Sequence, residues 1–305
     1  MENVLITGAA GFIGSALTEA LRTNGVHVTP VDDLSVPDWR PQPDGLQIRD
    51  VRTLTPTDLV GTDTVVHLAA RKSVPGSFRD QTFEHNVSVD RHVLDVFTNS
   101  PARRLLLATS CEVYGQQDGP LGEDAPLQPR SPYAAGKAAT EHLAHVYRPL
   151  LEAGQQIATI RFFNCFGPYE SPDAVVPAFL DAAAEGRPLV IEGDGTQARD
   201  LTHIDDTITM LTRILRRREL PHALNCGSGR TVTVRQLADA ITVLTGRGTI
   251  RHSPPRPNEI TSFTADTTLY RRTYGPVPER TLLDALADTR LRRDAARPQT
   301  ATAIP

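Results

Sequence analysis

Tyr133 and Lys137 stand four residues apart in Tyr133-Ala134-Ala135-Gly136-Lys137, a spacing that stacks both side chains on one face of a helix. A phenol ordinarily ionises near pH ~10, and an ammonium beside it favours the phenolate. The pair could therefore act as a base near neutrality, taking the proton of a substrate hydroxyl while a hydride leaves the same carbon. A second group of reactive side chains, Thr109-Ser110-Cys111-Glu112, closes the apolar run Leu105-Leu106-Leu107-Ala108. Such a run reads as a buried strand, and the carboxyl end of a strand is where an open α/β sheet places its ligands. Structure alone gives little reason for four polar or reactive residues in a row there. Ser110, Cys111 and Glu112 are therefore candidate site residues, although Cys111 could simply fill a small buried space.

A hydride needs an acceptor. Thr7-Gly8-Ala9-Ala10-Gly11-Phe12-Ile13-Gly14 follows a β-branched run and opens a helical one. Glycines at 8, 11 and 14 permit a tight turn and let backbone approach a pyrophosphate, while the helix start offers free N–H groups. Asp32 falls at the end of the second strand, 18 residues after Gly14. A carboxylate there accepts from both adenosine ribose hydroxyls and repels a 2′-phosphate, which selects NAD over NADP. Phe12 and Ile13 belong to the same loop. Asp50 and Val51 follow the third strand, where they could meet the adenine. Leu68, Ala69 and Ala70 close the fourth strand with residues small enough to admit a cofactor. Lys72, just beyond, either reaches a ribose or phosphate or is a solvated loop lysine.

These residues need a frame. Strands are expected at 4–7, 27–31, 46–48, 64–68, 105–109 and 157–161, and helices at 13–23, 82–98 and 133–152, with a proline-rich loop at 35–45. Strands alternating with helices predict a Rossmann-like, doubly wound parallel α/β sheet over residues 1–164. Shorter strands near 189–192 and 223–226 predict a smaller α/β substrate-binding domain over 165–305, with a segment near 200–226 returning to the first and a tail from about 295.

Composition narrows the class. A net charge of −4 gives no basic footprint for nucleic acid. No apolar run is long enough to span a membrane, and the N-terminus reads as a strand rather than a signal peptide, so a cytoplasmic protein is expected. Three cysteines at 111, 165 and 226 form neither a disulfide framework nor a zinc spacing, and no metal is expected.

Taken together, Gly8-x-x-Gly11-x-x-Gly14, Thr109-Ser110-x-x-Val113-Tyr114-Gly115, Tyr133-x-x-x-Lys137 and Arg161-Phe162-x-Asn164-x-Phe166-Gly167-Pro168 resemble the NDP-sugar epimerase/dehydratase branch of the extended short-chain dehydrogenases/reductases. The likeness covers roughly residues 3–292. It implies an NAD-dependent enzyme, a UDP-sugar substrate, and dimerisation through the helices near 82–98 and 133–152, with Val87, Leu94, Ala139, Leu143 and Val146 as candidates. It also implies that Arg199 and Arg256 clamp the diphosphate and that Val176 lies against the uridine base. Asn164, at the crevice, suits a diphosphate oxygen, and Glu259 could meet a ribose hydroxyl.

In 4-epimerases of this branch small uncharged residues follow the hydroxyl residue; in 4,6-dehydratases the stretch reads Thr-Asp-Glu. Ser110-Cys111-Glu112 keeps the Glu and resembles the UDP-N-acetylglucosamine 5,6-dehydratase type of tunicamycin biosynthesis, whose product is an exo-glycal. The expected function is therefore a dehydratase that oxidises carbon 4 transiently, loses water across carbons 5 and 6, and is reduced again at carbon 4. Rival readings are an NDP-sugar 4-epimerase or 4,6-dehydratase and, in another class, a non-catalytic NAD-binding sensor.

Overall fold

The structure is a computed structural model that describes residues 2–35, 41–255 and 260–296. Its first half alternates strand and helix. The strands are β1 Asn3–Thr7, β2 His27–Asp32, β3 Gln47–Ile48, β4 Thr64–His67, β5 Arg104–Ser110 and β6 Gln156–Phe162; the helices are α1 Phe12–Thr23, α2 Thr82–Thr98 and α3 Pro132–Tyr147. There follow β7 Asn164–Phe166, α4 Val175–Ala184, β8 Leu189–Glu192, β9 Ala198–His203, α5 Ile204–Leu215, β10 Ala223–Cys226, β11 Thr231–Thr233 and α6 Val234–Thr245. The chain continues through β12 Ile250–Ser253, β13 Ser262–Phe263, α7 Thr268–Tyr274 and α8 Leu282–Ala296.

Among the described residues a seven-stranded sheet runs in the order β10-β6-β5-β4-β1-β2-β3, every pairing parallel. Successive side chains on a strand point to opposite faces, and each face has its own apolar cover. Val4, Ile6, Val66, Leu106, Ala158 and Ile160 pack with residues of α1, α5 and α7. Their sequence neighbours Leu5, Val65, Leu105, Leu107 and Ile157 pack with α2 and α3. Burial on both faces explains why these strands read as continuous apolar runs.

Beside this sheet lies a smaller one, in which β9 is flanked by antiparallel β11 and parallel β13 and also pairs with β7. Parallel β8 and β12 form a separate pair. The cover here comes from α4, α6 and α8, around Phe179, Leu180, Leu189, Ile191, Leu237, Ile241 and Leu286.

Several expectations need correction. The third helix ends at Tyr147, and Pro149 sits in a short 3-10 turn over Arg148–Leu150. Proline lacks the N–H and collides with the carbonyl four residues back, so the helix cannot reach 152. The segment near 295 is still helical, since α8 continues to Ala296. Leu94 is 0% exposed and belongs to the core, so it offers no surface to a second subunit. Val146 is exposed, Val87, Ala139 and Leu143 are half-buried, and Leu143 packs against the core. No helix among the described residues is long and apolar enough to cross a membrane.

Candidate active site

The glycine-rich loop is dictated by backbone contact. Gly8 has a positive φ of 69°, and a Cβ there would lie 2.6 Å from the Ala69 nitrogen. A Cβ on Gly14 would lie 2.1 Å from the Gly8 oxygen, so the first turn of α1 can fold back on the loop only without a side chain. Gly11 donates its N–H to the Gly8 carbonyl at 3.0 Å and stands at the N-cap of α1 with no capping side chain. The start of α1, with its N-terminal dipole, thus faces the loop without a side-chain cap, as an anion-binding helix end does. Phe12 and Ile13 are half-buried against the core on the α1 side of the sheet.

Asp32 does more than the spacing predicts. Its Oδ2 accepts the Ala10 N–H at 3.0 Å and its Oδ1 accepts the Leu34 N–H at 2.9 Å. The carboxylate thus ties the loop after β1 to the end of β2, and each oxygen retains a lone pair for a ribose hydroxyl. Leu68, Ala69 and Ala70 line up half-buried beyond β4, and the Leu68 N–H bonds the Thr7 carbonyl at 3.1 Å. Lys72 is exposed, and its charge acts on Glu170, whose carboxyl burial pushes up to about 8.

Two adenine candidates are already engaged. Asp50 accepts from the Arg52 backbone N–H at 2.8 Å and from its guanidinium at 2.5 Å, contacts that hold the carboxyl down at about 2. Val51 is 5% exposed and packs under α2, so contact with an adenine through its side chain is corrected to core packing.

At the other strand end, Ser110 closes β5 and caps a single 3-10 turn, Cys111–Tyr114, its Oγ accepting the Glu112 N–H at 3.2 Å. Facing this turn is the start of α3, where Ser131 caps the helix by accepting the Ala134 N–H at 3.1 Å and Pro132 occupies the first position. That N-terminal signature fixes where the helix starts, and so where Tyr133 stands. The turn packs on α3, and Ser110 is close enough to the Tyr133 phenol to act on its ionisation. Ser110, Cys111, Glu112 and Tyr133 are thereby brought together.

Their electrostatics depart from the simple tyrosine–lysine reading. Burial pushes the Tyr133 phenol up, and Cys111, Glu112 and Asp90 push it the same way, against the opposing influence of Ser110. Lys137 turns to a different partner: its Nζ lies 3.6 Å from Asp90 Oδ2, with both side chains almost wholly buried. Burial also drives the Cys111 thiol well up, reinforced by Glu112 and opposed by Arg199. So held, the thiol stays protonated and gives its proton up less readily, and Cys111 is only 2% exposed among Val113, Tyr114, Phe163 and Phe263.

Behind this turn is a network that sequence reading misses. Arg161 donates to both oxygens of Glu141, at 2.9 Å from Nε and 2.6 Å from Nη2, and to the Tyr114 hydroxyl at 2.8 Å. Thr109 donates to Glu141 at 2.9 Å, and the Tyr114 hydroxyl to Asn225 Oδ1 at 2.7 Å. These bonds lock β5, the reactive turn, α3, β6 and β10 together. A signal existed: Glu141 continues the stripe of Tyr133 and Lys137 at four-residue intervals, a charge on the face that must be buried.

The substrate-side candidates divide. Asn164 is exposed at the start of β7. Arg199 is half-buried on β9, stacks over Phe263 with 5.5 Å to the ring centroid, and donates to the Ile260 carbonyl at 2.8 Å; its charge reaches Cys111. Val176 is 1% exposed and packs in the core of the smaller lobe, which corrects its placement against a base, because no face of it is open. Arg256 and Glu259 lie outside the described residues. His203, Asp205 and Asp288 come within metal-binding reach of one another, but Arg280 and Arg292 already hold the carboxylates.

Comparison with known proteins now places the chain. Residues 4–227 match the model of the NAD dependent epimerase/dehydratase family. The chain belongs to that family. It is an NAD-dependent enzyme of the extended short-chain dehydrogenase/reductase type, and the glycine-rich loop with Asp32 fits the cofactor. The solved structure of TunA, an NAD-dependent NDP-hexosamine 5,6-dehydratase involved in tunicamycin biosynthesis, is 37% identical; the match covers 96% of this chain and 98% of that one, with a TM-score of 0.91. MoeE5, solved with UDP-glucuronic acid and NAD, is 32% identical over 97% of this chain and all of its own, at a TM-score of 0.88. The dTDP-glucose 4,6-dehydratase of Streptomyces griseus is 29% identical over 94% of this chain and 92% of its own.

Proposed function

We propose that the protein is a nucleotide-sugar 5,6-dehydratase acting on UDP-N-acetylglucosamine. The observation that carries this reading is the Ser110-Cys111-Glu112 turn gathered against Tyr133, a carboxylate placed where an epimerase needs none. The likeness to TunA supports it. Residues 1–164, with the return of α5 and β10, hold the dinucleotide, and the remainder of the chain holds the sugar nucleotide, with Asn164 and Arg199 toward its diphosphate. The α2 and α3 surfaces that carry Val87, Ala139 and Val146 pair two subunits.

NAD, when bound, supplies reversible hydride exchange with carbon 4, so that the ring is oxidised there and reduced again. Tyr133 takes the proton of the carbon 4 hydroxyl, and Ser110 holds the same oxygen. The ketone acidifies the neighbouring C–H bond, and Glu112 removes the carbon 5 proton. The electron pair of that bond forms the alkene to carbon 6, and the carbon 6 hydroxyl departs as water with a proton from Cys111. Glu112, now protonated, adjoins the thiolate and resets it. Tyr133 finally returns its proton to the carbon 4 oxygen. Atoms balance as substrate to exo-glycal plus water, with no net redox change.

The test is to incubate the purified protein with UDP-N-acetylglucosamine and NAD and to follow the product by mass spectrometry and proton NMR. Loss of one water with two new exocyclic vinyl protons is the expected result. An unchanged mass with an inverted carbon 4 hydroxyl would instead make the protein an epimerase.

A further inference from the structure

A buried polar chain runs from the cofactor loop to the catalytic helix, and the reaction scheme above leaves it unused. Asp90, on α2, is 0% exposed. Its Oδ1 lies 2.8 Å from His67 Nε2, and the other ring nitrogen of His67 lies 2.6 Å from the hydroxyl of Thr7. Thr7 immediately precedes Gly8, so the chain begins at the glycine-rich loop. At its other end Asp90 Oδ2 accepts from the Thr140 hydroxyl and lies 3.6 Å from Lys137 Nζ. Four elements, β1, β4, α2 and α3, each contribute. Lys137 is itself 2% exposed, so Asp90 is the counter-charge that makes a buried ammonium tolerable.

We propose that Asp90, held by His67, Thr7 and Thr140, is a positioning residue that fixes the Lys137 ammonium and partly neutralises it on the helix that carries Tyr133. This rests on the reading that Tyr133 handles the carbon 4 hydroxyl proton. The groups acting on Tyr133 are Ser110, Cys111 and Glu112 from the β5 turn and Asp90 from α2; those acting on Asp90 are His67, Lys137 and Thr140. Burial pushes the Asp90 carboxyl up, but Lys137, His67 and Thr140 together outweigh it and hold it below its ordinary value. Its negative charge adds to those that raise the phenol. Asp90 thereby limits how far the Lys137 ammonium can favour the phenolate of Tyr133.

The sign of the expected effect follows. Asp90→Asn removes a negative charge near Tyr133 while keeping the hydrogen-bonding shape, so the phenol ionises at lower pH. With the NAD-bound enzyme and UDP-N-acetylglucosamine, the rate of the first NAD reduction rises with pH as Tyr133 deprotonates. In Asp90→Asn that rise should move down by about one pH unit. A merely structural Asp90 would lower the rate at every pH and leave the midpoint in place, and that result would overturn the proposal. A second measurement needs no variant: in the unmodified NAD-bound protein, the carbon-13 shift of the Asp90 carboxyl should be that of a carboxylate at neutral pH. A protonated carboxyl would equally overturn the proposal. Failure of the wild-type protein to reduce NAD with this sugar would count against the functional reading alone, and the carboxyl shift would still decide the role of Asp90.

Discussion

The loop after β1 and the turn after β5 sit at the carboxyl ends of strands in one sheet, yet they are held in opposite ways. The first is shaped by backbone sterics: glycines without room for a Cβ, and a carboxylate, Asp32, that stitches main-chain N–H groups. The second is shaped by buried charge: Arg161 and Glu141 behind it, Lys137 and Asp90 beside it. A site that binds an unchanging dinucleotide can be moulded by main chain. A site that moves protons must be tuned by side chains, because only they carry adjustable charges. Chemistry and binding should therefore fail separately when the two regions are perturbed.

The largest effect is expected on the charged side. Tyr133→Phe should lower turnover by about a thousandfold or more while NAD affinity and melting temperature stay near wild type. Loss of NAD binding in that variant would erase the division between the two regions. Next comes the scaffold of the turn. Glu141→Gln leaves Arg161 buried without its partner and should destabilise the fold by about 3–5 kcal/mol, read as a lower midpoint in urea unfolding. Retained stability would mean that packing rather than charge holds the turn. The smallest effect belongs to the cofactor loop. Asp32→Asn weakens the acceptors for the ribose and should cost about tenfold in NAD affinity, measured calorimetrically, with little change in turnover at saturating NAD.

The same contrast decides what could be read from sequence. The glycine spacing and Asp32 are local signals, because a tight turn before a helix needs those residue types within a few positions. Tyr133 and Lys137 were legible as a spacing, and Ser110 to Glu112 as polar residues ending an apolar strand. The partner of Lys137 was not legible: Asp90 lies 47 residues away, on a helix whose apolar face it interrupts. That interruption, with Asn86 one turn earlier on the same buried face, was the available clue. Sequence cannot separate the core positions of Val51, Val176 and Leu94 from contact with an adenine, a uridine base or a second subunit, because an apolar residue reads alike in a pocket, an interface or a core. The pairing of β7 with β9 joins strands whose register depends on contacts across the smaller lobe, and short strands carry too little pattern to specify it.

The proposal assigns to Glu112 the carbon 5 proton of a sugar oxidised at carbon 4. Its most direct test is NMR in deuterium oxide, with UDP-N-acetylglucosamine and NAD, comparing the wild-type protein with Glu112→Gln. Wild type should lose water and form the alkene, whereas Glu112→Gln should still reduce NAD but neither exchange carbon 5 with solvent nor lose water. Alkene formation by Glu112→Gln at the wild-type rate would contradict the account.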